Sequence, residues 1–167
     1  MAWTFELECF QGPFRQSVKK KYATMRPKTA IGTSAEAKRL RDRLLAAGVR
    51  PTRQRLDLGR LLLESGDRHF TAEMIYDEAR AMRYPPSLGT IYNTLNEFAR
   101  CGLLREIALY DAKLWYDTKI GPHFHFYRED TEELSDIPDD LLPEFEIPAP
   151  EGTRIAAIDV IVRLKRM

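Results

Sequence analysis

"SLGTIYNTLNEFARCGLL", residues 87–104, is the stretch that decides the fold of this chain. Apolar side chains recur along it at the spacing of an α-helix: Leu88, Ile91, Leu95 and Phe98. Ser87, before the first of them, is a favourable N-cap residue, and Gly102, after the last, is a typical helix stop. The stretch therefore predicts an amphipathic helix with one buried face and one polar face.

Three more helices are predicted upstream of this one. "TSAE", residues 33–36, is a candidate capping box, and Gly48 ends the helix that follows it. Thr52 and Thr71 are N-cap candidates for the next two helices, and "RYPP", residues 83–86, ends the second of these.

Downstream of Gly102 the spacing of apolar residues changes from the helical pattern to every second residue, which indicates β-strands. "LLREIALY" and "KLWYD" flank a polar "DA" and predict a hairpin, "HFHFY" predicts a third strand, and "TRIAAIDVIVRL" predicts a long fourth one. Short helices followed by a two-stranded hairpin are the order of a winged helix-turn-helix, in which the last helix enters the major groove of DNA. The predicted fold class is therefore α+β.

The chain divides into three parts. Residues 1–32 lack periodicity and are predicted to be a mobile arm, whose first 24 residues are a candidate over-extension of the gene start. Residues 33–119 are predicted to form the winged-helix domain, and residues 120–167 a small α/β domain for dimerisation and ligand sensing. Residues 1–118 carry 20 Lys+Arg against 14 Asp+Glu, a net charge of +6, and residues 119–167 carry 6 against 11, a net of −5. A basic front half favours contact with a polyanion.

Composition excludes several classes of protein. No apolar run approaches the roughly 18 residues that span a membrane. Basic residues follow the apolar ones at the N-terminus, which is the reverse of a secretory signal. Cys9 and Cys101 make neither a disulfide framework nor a C-x-x-C pair. We therefore expect a cytoplasmic protein without membrane association.

The polar face of the fourth helix is a candidate DNA-reading surface. Asn93 is suited to bidentate pairing with adenine, Tyr92 to a thymine methyl group, and Gly89 to close approach. Basic residues near the second helix are candidates for phosphate or minor-groove contacts. The full candidate set is Arg50, Arg53, Arg55, Ser87, Gly89, Thr90, Tyr92 and Asn93. The alternative is a helical bundle with a solvated polar face.

Two of the three histidines lie one residue apart in "GPHFHFY", residues 121–127. On a strand, His123 and His125 would point to the same face. Such a pair can hold a metal ion or a haem iron, or can simply be two polar residues of a strand. The spacing alone leaves these alternatives open.

The quoted helix, together with "GVRPTRQRL", "HFTAEMIYDEA" and "KLWYDT…HFHFY", resembles the ferric uptake regulator family from about residue 35 to the end. Asn93 after Tyr92, the absent C-x-x-C and the closing "IDVIVRLK" resemble one branch, the iron response regulators of alphaproteobacteria. The resemblance implies a dimeric regulator that binds duplex operator DNA, with a C-terminal dimerisation domain and no enzymatic activity.

The resemblance also implies an inter-domain metal site for iron, manganese or zinc. Its implied ligands are His69, Asp117, His123, His125 and Asp136. His123 and His125 are in addition candidate axial ligands of haem, for which a haem-delivering partner protein would be expected. Arg128 and Thr131 stand where the family usually has a zinc-binding C-x-x-C, so a structural zinc ion is predicted to be absent.

Three hypotheses follow for the function. The first is a transcription regulator of iron and haem homeostasis, switched by haem or a divalent metal. The second keeps this fold but makes peroxide the trigger, through iron-catalysed oxidation of a ligand histidine. The third is a cupin-type metalloenzyme, built on the H-x-H-x3-E grouping of His123, His125 and Glu129. A cupin barrel, however, needs more strands than the C-terminal part supplies.

Overall fold

The computed structural model describes residues 34–109, 113–141, 146–156 and 158–166. The arm predicted for residues 1–32, and Thr33 of the candidate capping box, lie outside the described residues.

Four α-helices form the first half of the fold: α1 (Ser34–Ala46), α2 (Arg53–Leu63), α3 (Ala72–Ala79) and α4 (Leu88–Arg100). The side chains of Thr52, Thr71 and Ser87 each accept a hydrogen bond from the first turn of the helix that follows, so the three predicted N-caps are confirmed. Gly102 follows α4 with φ +70°, a left-handed conformation that favours glycine.

The apolar faces of these helices share one core. Side chains from all four helices are fully buried there, among them Leu44, Leu58, Ile75 and Leu95. The predicted inward face of α4 is confirmed, since Ile91, Leu95 and Phe98 are 0% exposed and Leu88 packs against the same core. Burial of one face leaves the opposite face of α4 toward solvent.

A three-stranded antiparallel sheet follows the helices and contains β1 (His69–Thr71), β2 (Arg105–Ala108) and β3 (Leu114–Asp117). Its strand order is β1-β3-β2, so the predicted hairpin β2–β3 is joined by a strand that the apolar pattern did not predict. β1 has only three residues, too few to show a period of two. Helices and sheet together make the predicted winged helix-turn-helix.

A second three-stranded sheet contains β4 (His125–Arg128), β5 (Glu133–Asp136) and β6 (Ile161–Leu164), with a 3₁₀-helix (Asp139–Leu141) after β5. The order is β5-β4-β6, with β4 antiparallel to β5 and parallel to β6. Two expectations need correction. The third predicted strand begins at His125, so His123 lies just before it, and the long fourth strand is reduced to residues 161–164.

The two sheets are joined by a small apolar cluster. Ile107 and Trp115 of the first sheet are buried against Tyr127 and Leu134 of the second. This cluster packs the two sheets against each other. Within the described part of the chain, no helix has the length and apolar character to cross a membrane.

Candidate metal centre and DNA-binding face

Strand pairing brings four of the five implied ligands together in pairs. His69 of β1 lies opposite Asp117 of β3, and His125 of β4 lies opposite Asp136 of β5. His123, just before β4, completes the group. One nitrogen or oxygen atom from each of the five residues lies within 4.8 Å of all the others. The five candidates from the sequence are therefore neighbours in space.

Asp117 lies at the centre of this group and is fully buried. Its Oδ2 atom is 2.6 Å from His123 Nε2, 3.4 Å from His125 Nε2 and 3.3 Å from His69 Nε2. Its other oxygen, Oδ1, accepts a hydrogen bond from the backbone N–H of Lys119 at 2.8 Å. One carboxylate oxygen thus faces all three imidazoles, and the other anchors the carboxylate.

Asp136 approaches the same three imidazoles from the second sheet. Its Oδ1 atom is 2.8 Å from His69 Nε2, 3.6 Å from His123 Nε2 and 3.9 Å from His125 Nε2. His69 Nε2 and Asp136 Oδ1 lie close to each other but form no hydrogen bond. Both atoms are buried without a hydrogen-bond partner in the described structure. Buried polar atoms are normally satisfied, so these two point to a missing partner.

The electrostatics of the group also favour a cation. Burial alone would raise the pKa of the Asp117 carboxyl, but close contacts with His125 and His69 and the Lys119 N–H hold that pKa well below its usual range. Asp117 is therefore a buried carboxylate anion. Asp136 adds a second carboxylate, whose Oδ2 atom lies 3.4 Å from Lys119 Nζ. The buried Asp117 carboxylate requires compensation by hydrogen bonds or by positive charge.

Imidazole nitrogens with carboxylate oxygens suit a borderline or hard divalent ion such as Fe²⁺, Mn²⁺ or Zn²⁺. Metal–ligand distances of about 2.0–2.2 Å would place neighbouring ligand atoms about 3–4 Å apart, close to the spacing found here. The residues present therefore fit a divalent ion. They do not fit haem in this arrangement, because the side chains of His123 and His125 are only 0% and 3% exposed and their Nε2 atoms face the carboxylates.

The His123 ring is oriented by its own loop. Its Nδ1 atom lies 2.7 Å from the carbonyl oxygen of Gly121. A carbonyl oxygen only accepts, so this bond requires the proton on Nδ1. Nε2 is then the nitrogen that faces Asp117 Oδ2, 2.6 Å away, and that could bind a metal ion. An imidazole held in this way by its second nitrogen is typical of metal ligands.

The third carboxylate considered from the sequence does not join this group. Glu129 pairs instead with Arg163 at 2.5 Å and with Lys165 at 3.4 Å. The H-x-H-x3-E grouping of the cupin hypothesis is therefore not formed, and that hypothesis is wrong.

The outward face of α4 has the expected exposure. Gly89 and Asn93 are exposed, and no atom lies within 4 Å of the position that a Cβ on Gly89 would take. The Ser87 hydroxyl caps the helix at the Thr90 N–H at 3.2 Å and also meets the Thr90 hydroxyl at 2.9 Å. This end of α4 therefore presents small and polar groups to solvent.

Tyr92 has a partner that the sequence did not indicate. Its phenol donates a hydrogen bond to the carboxylate of Glu73 in α3. This bond, with partial burial, raises the pKa of Tyr92 to about 12, so the phenol is neutral at physiological pH. The residue that holds Tyr92 lies 19 positions away in the sequence, which is why helical spacing within α4 gave no sign of it.

The three candidate arginines near α2 differ in their surroundings. Arg50 is exposed, and the Arg53 guanidinium lies over the exposed ring of Tyr84, 4.2 Å from its centroid. Arg55 is half-buried, with its guanidinium 3.8 Å from a Glu97 carboxylate oxygen of α4. Arg50 and Arg53 are thus exposed, and Arg53 Nε also lies 3.8 Å from an Asp57 carboxylate oxygen. Arg55 ties α2 to α4.

Comparison with solved structures supports the fold. The ferric uptake regulator of Vibrio cholerae has a TM-score of 0.61 at 20% identity, over 75% of this chain and 98% of that chain. The ferric uptake regulator of Pseudomonas aeruginosa, solved with manganese, has a TM-score of 0.58 at 20% identity, over 75% of this chain and 96% of that chain. At this identity the likeness establishes the α+β fold, a winged helix-turn-helix followed by a smaller domain.

Comparison of sequences establishes the family. The model of the ferric uptake regulator family matches residues 46–163. A peroxide-responsive repressor, PerR, from Staphylococcus epidermidis is 35% identical over 104 residues, which are 62% of this chain and 68% of that protein. With most of its length matched in this way, the chain belongs to the ferric uptake regulator family, whose members regulate transcription and are not enzymes.

Proposed function

We propose that the protein is a cytoplasmic transcription regulator whose affinity for operator DNA is set by a divalent metal ion bound at His69, Asp117, His123, His125 and Asp136. One observation carries the proposal. Four of the five candidate ligands come from the two sheets and His123 comes from the loop between them, and their polar atoms converge within 4.8 Å. We take residues 33–119 as the DNA-binding domain and residues 120–167 as the dimerisation and sensing domain.

The distribution of ligands explains how binding at this site would reach the DNA. His69 and Asp117 belong to the first sheet, whose helices include the proposed recognition helix α4. His123, His125 and Asp136 belong to residues 120–167, the proposed dimerisation and sensing domain. When bound, a divalent ion would neutralise the two carboxylates and link both parts. Binding then favours one relative orientation of the two domains. The free energy of this preference equals the difference in ion-binding free energy between that orientation and the others.

DNA reading is assigned to α4 and its surroundings. Asn93 is exposed on α4 and would read a base edge, and Tyr92, fixed by Glu73, lies beside it. Arg50 and Arg53 would contact phosphates, which adds affinity that is independent of sequence and falls with salt.

A homodimer is part of the proposal, because a single winged helix reads only a few base pairs and two copies read two half-sites. β6 is an edge strand of the second sheet, and its Val162 side chain is 39% exposed. An exposed apolar edge strand is suited to pairing with a second copy. Sedimentation of the full-length protein at micromolar concentration should show dimers; monomers would contradict this part of the proposal.

The test is selection from a pool of random DNA duplexes by the metal-stripped, full-length protein, run in parallel with Mn²⁺ and with a chelator. We expect a two-fold symmetric sequence to be enriched with Mn²⁺ and to bind much more weakly with the chelator. Enrichment of the same sequence with equal affinity in both conditions, or no enrichment at all, would contradict the proposal.

A second candidate function is peroxide sensing, favoured by the similarity to the peroxide-responsive repressor of Staphylococcus epidermidis. It uses the same candidate ligands, and its chemistry would be iron-dependent oxidation of a ligand histidine. Mass spectrometry of the Fe²⁺-loaded protein after peroxide treatment would show an added oxygen on a peptide that contains His69, His123 or His125. An unmodified protein that stays on its DNA would exclude this candidate.

Haem control, as in the iron response regulators, is the alternative trigger. It requires the two sheets to separate, because His123 and His125 are buried in the present arrangement. If haem releases the wild type from DNA but does not release a His123→Ala/His125→Ala double variant, this alternative is favoured over a metal switch. A haem-delivering partner protein would then be the expected source of the haem.

A further inference from the structure

Arg105 is a partly buried arginine that links the winged-helix part to residues 120–167, outside the group of five candidate ligands. It lies on β2 of the first sheet, and its side chain is 17% exposed. Its Nη1 atom donates to the carbonyl oxygens of Gly121 and His123, each at 3.3 Å, and its Nη2 atom pairs with the carboxylate of Asp159, just before β6. One guanidinium therefore holds three acceptors beyond the first sheet.

Two of these acceptors lie on the loop that carries His123. The Gly121 carbonyl accepts from Arg105 and also from His123 Nδ1, at 2.7 Å. Arg105 therefore fixes the carbonyl that in turn sets the tautomer and orientation of the His123 ring. The backbone of Arg105 also lies opposite Asp117 in the β2–β3 pairing. A single residue thus holds the strand of one ligand and the loop of another.

The planar guanidinium suits this role. Its donors form a rigid fork that meets several acceptors at once, whereas a lysine ammonium is a compact charge on a flexible stem. The short loop around Gly121 and His123 has no helix or strand of its own. The bonds from Arg105 supply the order that secondary structure does not supply there.

We propose that Arg105 is a positioning residue of the metal centre: it holds the Gly121 and His123 carbonyl groups, and so presets the His123 imidazole toward the site and couples the centre to the winged-helix part. This inference rests on the proposed metal-binding function. Partners that orient a ligand typically contribute about 10–100-fold to metal affinity, and we expect an effect in this range.

The experiment compares the full-length wild type with Arg105→Ala, Arg105→Lys and a control variant. The control is Glu132→Gln, which removes a different ion pair, the one between Glu132 and Lys113, the residue just before β3. That pair also joins the winged-helix part to residues 120–167, but it makes no contact with the five candidate ligands. The readouts are the dissociation constant for Mn²⁺ and, in metal-free protein, hydrogen exchange of the peptide that contains residues 119–124.

We expect Arg105→Ala to raise the Mn²⁺ dissociation constant about 10–100-fold and to speed exchange in residues 119–124 without metal. Arg105→Lys should recover only part of both effects, and Glu132→Gln should change neither. Equal effects of Arg105→Ala and Glu132→Gln would overturn the inference. It would also be overturned if residues 119–124 of the Arg105→Ala variant exchanged hydrogen at the same rate as in the wild type. If the wild type itself binds no Mn²⁺, the proposed function fails, while the exchange measurement still decides whether Arg105 orders the loop.

Discussion

Replacing Asp117 by asparagine would remove the negative charge at the centre of the ligand group with almost no change in shape. The side-chain oxygen that accepts from the Lys119 N–H at 2.8 Å must remain an oxygen. The amide NH₂ then takes the place of Oδ2, the atom that lies 2.6 Å from His123 Nε2. The variant thus loses one ligand atom and directs a donor at the ion.

This change should weaken Mn²⁺ binding at least 100-fold. Loss of a partner that only orients a ligand costs about 10–100-fold, and a central ligand should reach at least the upper end of that range. A 100-fold loss corresponds to about 2.7 kcal/mol of binding free energy. Because asparagine keeps the bond to Lys119, the metal-free variant should retain the native fold by circular dichroism.

The assay is competition for Mn²⁺ between metal-stripped protein and a fluorescent chelator. The matched control is Asp77→Asn, the same chemical change at an exposed carboxylate of α3 whose partner is Arg80, 3.8 Å away. Folded Asp117→Asn that binds Mn²⁺ as tightly as Asp77→Asn would refute the assignment of Asp117 as a ligand.

Three further predictions concern the winged-helix part. Asn93→Ala should cost about 1–3 kcal/mol of binding to the selected operator and spare binding to unrelated duplexes, as fluorescence anisotropy would show; equal losses on both would remove Asn93 from base reading. Gly102→Ala should destabilise the fold by about 1–2 kcal/mol in urea unfolding, because its φ of +70° is left-handed and no steric clash adds to that cost. The hydrogen bond to Glu73 raises the pKa of Tyr92 from 10.0 to about 12, so its stabilisation is present below pH 10 and is lost as pH rises through about 12. In ultraviolet titration, with Tyr92→Phe to identify the signal, Glu73→Gln should lower this pKa toward 10.0, and an unchanged value would contradict the role of Glu73.

Much of the helical part could be predicted from the sequence because its signals are local. The apolar spacing from Leu88 to Phe98 and the caps Thr52, Thr71 and Ser87 each lie within a few residues of the structure that they specify. A helix closes its hydrogen bonds within itself, so its pattern is complete in a short window.

The sheets were predicted less well because their partners are distant in sequence. β1 has three residues, and its pairing with β3 places His69 opposite Asp117, 48 positions later. Nothing near His69 shows this register. Its place in the ligand group followed from resemblance to a family and not from spacing. The strand predicted from residue 153 begins only at Ile161, because an apolar run does not by itself specify a pairing partner.

The polar contacts around the site were not predictable for the same reason. Arg105 meets Gly121 and Asp159 across 16 and 54 positions, and Tyr92 meets Glu73 across 19. A single arginine in a strand has no distinctive pattern, and its partners include backbone carbonyls, which every residue carries. Such contacts become visible only when the strands are in register.

The central claim is that one divalent ion at the five converging side chains sets operator affinity, and thermodynamic linkage gives its most direct test. If Mn²⁺ raises the affinity of the protein for its selected operator by some factor, the operator must raise the affinity for Mn²⁺ by the same factor. The measurement is therefore the Mn²⁺ dissociation constant of the wild-type protein, alone and saturated with operator duplex. We predict that the operator duplex lowers the Mn²⁺ dissociation constant by the same factor by which Mn²⁺ lowers the dissociation constant for the operator. An unrelated duplex should leave the Mn²⁺ dissociation constant unchanged. An operator that binds and leaves the Mn²⁺ dissociation constant unchanged would contradict the claim.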